Sequence, residues 1–149
     1  MNKNRPTPIR VEDFAYLNEV VRDVGTSYPL VRSIYLYGSV ARGDADAQSD
    51  LDLFFLVEEG NSQVFLKRFL HDPKYWQIFD WVHSQGLEGG LNCIVAGPEE
   101  LIREYDTLAD KIVLEGTLLY GADLESELSD VDRQKYESKE SLLDLIQSI

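Results

Sequence analysis

The sequence predicts an α/β domain of the α+β kind, with a small mixed β-sheet flanked by helices. Three observations predict it. Apolar positions at helical spacing alternate with a few short strand-like runs. The 149 residues, 44% of them apolar, suit one domain with its own core. One strand-like run, residues 51–57, is apolar at consecutive positions after Asp52, as in a strand buried on both faces.

The elements follow in order. Phe14, Leu17, Val20, Val21 and Val24 recur at helical spacing over residues 11–25, and Gly25 ends the pattern. Residues 34–37 read as a strand that stops at Gly38. Ser39 is placed to cap a short helix through Arg42, with Gly43 as its stop. Residues 44–49 are turn-like, and residues 51–57 form the buried strand. Residues 61–85 are helical with a break at Asp72-Pro73, and Trp76, Phe79 and Val82 share a spacing expected to face the core. A loop over residues 86–90 leads to a third strand, residues 91–96. Pro98 opens a helix that runs to Glu115, followed by a short run over residues 117–120. Gly121 divides a domain over residues 1–121 from a polar tail over residues 122–149. Leu142, Leu145, Ile146 and Ile149 give that tail a helix for packing on the core or on a second subunit.

Composition narrows the function. No apolar stretch reaches 18 residues, so no membrane span is expected. Residues 1–10 are polar and lack the apolar centre of a secretory signal. Cys93 is the single cysteine, so an intramolecular disulfide is excluded and a reducing cytoplasm is expected. A net charge of −13 opposes a grip on polynucleotide backbones, which needs clustered Lys and Arg. It does not oppose a single nucleotide, because a bound divalent cation reverses the local sign.

The chemistry concentrates in residues 38–52. Gly38 and Gly43 have the spacing of a phosphate loop, but Asp44 and Ala45 stand where its lysine and hydroxyl belong. Asp44, Asp46 and Gln48 resemble the start of a calcium loop, but Ser49 replaces its glycine and Phe55 its closing glutamate. Arg42-Gly43-Asp44 as a cell-adhesion tripeptide does not suit a chain with one cysteine and no signal. A fourth reading accounts for more residues. A strand ending in Gly38-Ser39 and entering a helix offers close backbone approach, a hydroxyl and a helix end to phosphate. Arg42, one turn on, adds a guanidinium fork. Asp50 and Asp52 project from one strand face with Cα atoms roughly 6.5–7 Å apart, suiting two carboxylates that share Mg²⁺.

This segment resembles the nucleotidyltransferase superfamily related to DNA polymerase beta. The shared pattern is Gly38-Ser39, then ten residues, then Asp50-Leu51-Asp52. Arg42-Gly43-Asp44, Ser49-Asp50-Leu51-Asp52-Leu53 and the run Lys111-Ile112-Val113-Leu114-Glu115-Gly116 leading to Tyr120-Gly121 are similar to its small branch, the minimal nucleotidyltransferases (MNT). The resemblance spans about residues 14–121. It implies ATP or another NTP as donor, Mg²⁺ on Asp50 and Asp52, nucleotide contacts from Gly38, Ser39, Arg42 and Ser49, and a hydroxyl acceptor. It also implies a HEPN-type helical toxin as partner, neutralised by adenylylation.

The family's third carboxylate lies on the following strand, where Asn92 is the match. An amide can coordinate a cation but cannot act as a general base. Catalysis with Asp50 and Asp52 alone remains open, because phosphoryl transfer relies mainly on positioning and charge. So does a non-catalytic module that binds nucleotide or a partner. Glu88 stands as a substitute acid if the glycines around it fold the loop inward.

Overall fold

The computed structural model describes residues 11–131. The expected tail helix at Leu142, Leu145, Ile146 and Ile149, and the segment 1–10, lie outside the described residues. Along the chain run α1 (Val11–Ser27), β1 (Val31–Tyr37), α2 (Gly38–Arg42), β2 (Asp50–Val57), α3 (Ser62–Leu70), α4 (Pro73–Ser84), β3 (Gly90–Ala96), α5 (Pro98–Glu104), α6 (Asp106–Glu115), β4 (Thr117–Gly121) and α7 (Leu124–Leu128). The four strands form one sheet in the order β3-β2-β1-β4. β1 is antiparallel to both β2 and β4, whereas β2 and β3 are parallel. The sheet is therefore mixed, as expected, and the parallel pair is joined by the α3–α4 crossover.

The period of two along β2 divides the core. Leu51, Leu53, Phe55 and Val57 join Leu17, Val21 and Val24 of α1 with Phe65, Phe69 and Val82 of α3 and α4. Phe54 and Leu56 face the other way, against Leu101, Ile102, Ala109, Ile112, Leu124 and Leu128 of α5, α6 and α7. Helices thus cover both faces of the two central strands, and every residue from Leu53 to Val57 is fully buried. Asp50 and Asp52 share the second face by the same alternation, at the end of the strand where the apolar cover stops.

Several expectations are corrected. Gly25 does not end α1; it lies within the helix, where an added Cβ would sit 2.4 Å from the Tyr120 ring, so it serves close packing. Ser39 does not cap α2, because Tyr37 holds the cap position and Ser39 lies inside the helix. Gly43 does stop it, in the left-handed conformation with φ 83°. The helix expected from Pro98 to Glu115 is two helices, since Tyr105 leaves helical geometry (φ −133°, ψ 40°) and Asp106 begins α6 with an acid in its first turn. Trp76 is 51% exposed rather than in the core, while Val82 is buried. Beyond Gly121 the chain turns back onto the domain: Leu124 and Leu128 are buried, and the Leu124 N–H donates to the Tyr35 hydroxyl at 2.9 Å.

Candidate functional site: two carboxylates at a strand–helix corner

The site begins at the end of β1. Tyr37 pairs with Asp52 across the β1–β2 ladder, and Gly38 turns the chain into α2 with φ +77°. A Cβ on Gly38 would lie 2.2 Å from Asp52 Oδ2. Glycine is required here twice over: for its backbone conformation and for the space that the carboxylate occupies. On the other side of Asp52, the parallel register sets Asn92 opposite it, and Asn92 Nδ2 donates to Asp52 Oδ1 at 3.0 Å. The Asp52 carboxylate is therefore held between a glycine backbone and an amide.

Asp50 is fixed by the loop before β3. Glu88 N–H donates to Ala47 O at 2.7 Å and Gly89 N–H to Ser49 O at 3.1 Å. A Cβ on Gly89 would meet the Asp50 nitrogen at 2.7 Å, so this glycine lets the two backbones touch. The glycines do fold the loop against the Asp50 strand. Glu88 nevertheless remains exposed, and among the described residues no group of three or more His, Cys, Asp and Glu side chains could hold a metal ion.

The electrostatics follow from this seating. Burial raises the Asp52 carboxyl above its ordinary value, the Asn92 hydrogen bond opposes the rise, and the Asp50 charge adds to it. Lys111 of α6 lowers it again. Tyr37, buried on the same face, has its phenol pushed far up by burial and then by Asp52 and Asp50, so it stays protonated. Cys93 is partly buried on the opposite face, and burial pushes its thiol up to about 12, which keeps it an unreactive thiol at neutral pH. Two carboxylates that repel one another, with an amide oxygen alongside, form the hard-oxygen donor set that a small divalent cation prefers.

Four expected residues thus come together: Gly38, Asp50, Asp52 and Asn92. Ser39 follows directly at the start of α2. Two others have protein partners. The Ser49 hydroxyl donates to Asp46 Oδ1 at 3.2 Å and accepts from the Asp46 N–H at 2.9 Å, closing the turn before β2. Arg42 donates through Nε to Asp44 at 3.3 Å and through Nη1 to Glu115 at 3.0 Å. The sequence alone assigns no site role to Tyr37, Lys111 or Glu115. Tyr37 could have been found as the position before the motif glycine. The roles of Lys111 and Glu115 depend on how α6 lies on the sheet, which local spacing does not encode.

The glycine corner thus stands against two carboxylates on one of the two central strands of a mixed sheet. The chain belongs to the nucleotidyltransferase domain family, whose model matches residues 17–117. No curated protein matches the sequence. Among solved structures, the chain is similar to the spectinomycin adenyltransferase AAD(9) from Enterococcus faecialis, solved with ATP and spectinomycin. The two share 14% identity at a TM-score of 0.50, covering 91% of this chain and 68% of that one. It is also similar to a chain of a toxin–antitoxin solved with AMP-PNP (18% identity, 88% and 95% covered, TM-score 0.49). A third similar chain comes from the complex of the tri-AMPylated Shewanella oneidensis HEPN toxin with its MNT antitoxin (18%, 92% and 94%, 0.47). At these identities the likeness concerns the fold. Among the described residues, no helix is long and apolar enough to cross a membrane.

Proposed function

We propose that the chain transfers AMP from Mg-ATP to a hydroxyl of a protein or small molecule in the cytoplasm, with pyrophosphate as leaving group. The observation that carries this reading is the seating of Asp52 against Gly38, with Asp50 beside it at the corner where β1 enters α2. In the reaction the acceptor oxygen bonds to the α-phosphorus, the bond from that phosphorus to the pyrophosphate oxygen breaks, and the hydroxyl proton leaves. Asp50 and Asp52 would hold Mg²⁺, with Asn92 as a neutral neighbour. Bound there, Mg²⁺ would offset the charge that develops on the triphosphate. Gly38 admits phosphate close to the backbone, and Ser39 supplies a hydroxyl. Arg42 in the last turn of α2 and Lys111 of α6 are cations on the elements around this corner and suit the leaving pyrophosphate. Asn92 cannot take up a proton, so the acceptor proton passes to Asp50, Asp52 or water.

The family match supports transfer of a nucleotidyl group, and the MNT resemblance supports ATP as donor and a HEPN-type helical protein as acceptor. An acidic chain suits a protein or small-molecule acceptor better than RNA. A second reading, a non-catalytic module that blocks its partner by contact, is favoured by Asn92 and by the apolar spacing of Leu142, Leu145, Ile146 and Ile149 in the tail. ATP labelled at the α-phosphate distinguishes them. Label transfer to the acceptor, lost in both Asp50→Ala and Asp52→Ala, fits catalysis. Neutralisation of a partner that survives both substitutions contradicts it.

A further inference from the structure

We propose that Glu115 is a positioning residue, which sets Arg42 and Lys111 in place at the mouth of the site for the triphosphate. The proposal deepens the nucleotidyl-transfer reading and rests on it. Glu115 Oε1 accepts from Arg42 Nη1 at 3.0 Å and lies 3.9 Å from Lys111 Nζ. A single carboxylate oxygen therefore joins Arg42, in the last turn of the Gly38-Ser39 helix, to Lys111 of α6.

Local helix energetics do not explain an acid at this position. Glu115 is the last residue of α6, where the helix dipole favours a cation, and that turn contains no basic residue. Its partner within the helix, Lys111, lies four residues before it, the weaker order for such a pair. Where a residue opposes its local preference, a functional constraint is the first explanation to examine. The backbone beneath Glu115 is also anchored. A Cβ on the next residue, Gly116, would lie 2.5 Å from Ile112 O and 3.1 Å from the Tyr35 ring of β1. Glu115 is the least exposed of the three side chains, at 27% against 38% for Arg42 and 47% for Lys111. The acid is thus the fixed point, and the two more exposed cations are oriented from it. Asp44 on Arg42 Nε completes the hold and leaves Nη2 without either carboxylate.

The test is calorimetric titration of Mg-ATP into the full chain and into Glu115→Gln, Arg42→Gln and the double variant, with the melting temperature of each. Exposed ion pairs contribute little to stability, so Glu115→Gln should melt close to wild type. Its ATP affinity should fall roughly five- to tenfold, a loss on the scale of one charge-assisted contact. Because Glu115 acts through the cations, the double variant should lose less than the product of the two single losses. Unchanged or tighter ATP binding by Glu115→Gln, with wild type binding normally, overturns the proposal and leaves the nucleotide site standing. Absence of ATP binding by the wild-type chain overturns both.

Discussion

Gly38 and Asp52 show how closely the site is specified at the scale of single residues. The carboxylate fills the space where any other residue at position 38 would carry a side chain. Burial and the Asp50 charge raise the Asp52 carboxyl, so the folded state prefers it protonated. Its contribution to stability is complete below the ordinary carboxylate value, near 3.8. That contribution is lost as pH rises through the raised folded value, and at pH 7 the ionised group is a cost. Asp52→Asn is therefore expected to raise the melting temperature by a few degrees at pH 7, with the gain fading towards pH 3. A melting temperature lower than wild type at pH 7 would contradict this account of the site. Asn92→Asp probes the neighbouring position. It replaces the amide donor by a third charge, so the metal-free protein should melt lower while Mg²⁺ binds more tightly in calorimetry. No change in either would mean that residue 92 does not face the cation. The meeting of Gly38 with the Asp50-Leu51-Asp52 strand was legible in the sequence, because it follows from spacing and strand periodicity. The engagement of Arg42 was not, because Glu115 lies 73 residues further along the chain.

At the scale of elements, β2 holds the domain together. Phe55 is fully buried, and its ring lies 5.3 Å from that of Phe65 and 5.1 Å from that of Phe69. Phe55→Ala removes a large side chain from the interface between the sheet and α3, and should lower unfolding free energy by about 3–5 kcal/mol in urea denaturation. A loss below about 1 kcal/mol would mean that the face collapses around the gap. The sequence revealed strands and helices where periodicity was strong, including the buried character of β2. It failed where tertiary contact outweighs local preference. Gly25 looks like a stop but gives the Tyr120 ring its space. The break at Tyr105 carries neither proline nor glycine to announce it. Trp76 shares the spacing of core residues, yet it projects from α4 and packs edge-on against Tyr75 and Phe79.

For the whole molecule, the sheet order could not be read from the sequence, because the parallel pairing of β2 with β3 depends on where the α3–α4 crossover lands. That pairing delivers Asn92 to Asp52, so global topology sets the chemistry of the centre. The acidity of the whole chain has a related consequence. With a net charge of −13, the protein repels a free triphosphate, and binding should require the cation that the two aspartates are placed to hold. Calorimetric titration of ATP with and without Mg²⁺, into wild type and Asp50→Ala, tests this most directly. The account predicts binding that needs Mg²⁺ and is abolished by the substitution. No binding at millimolar ATP with Mg²⁺ present, or binding that Asp50→Ala leaves intact, would contradict it.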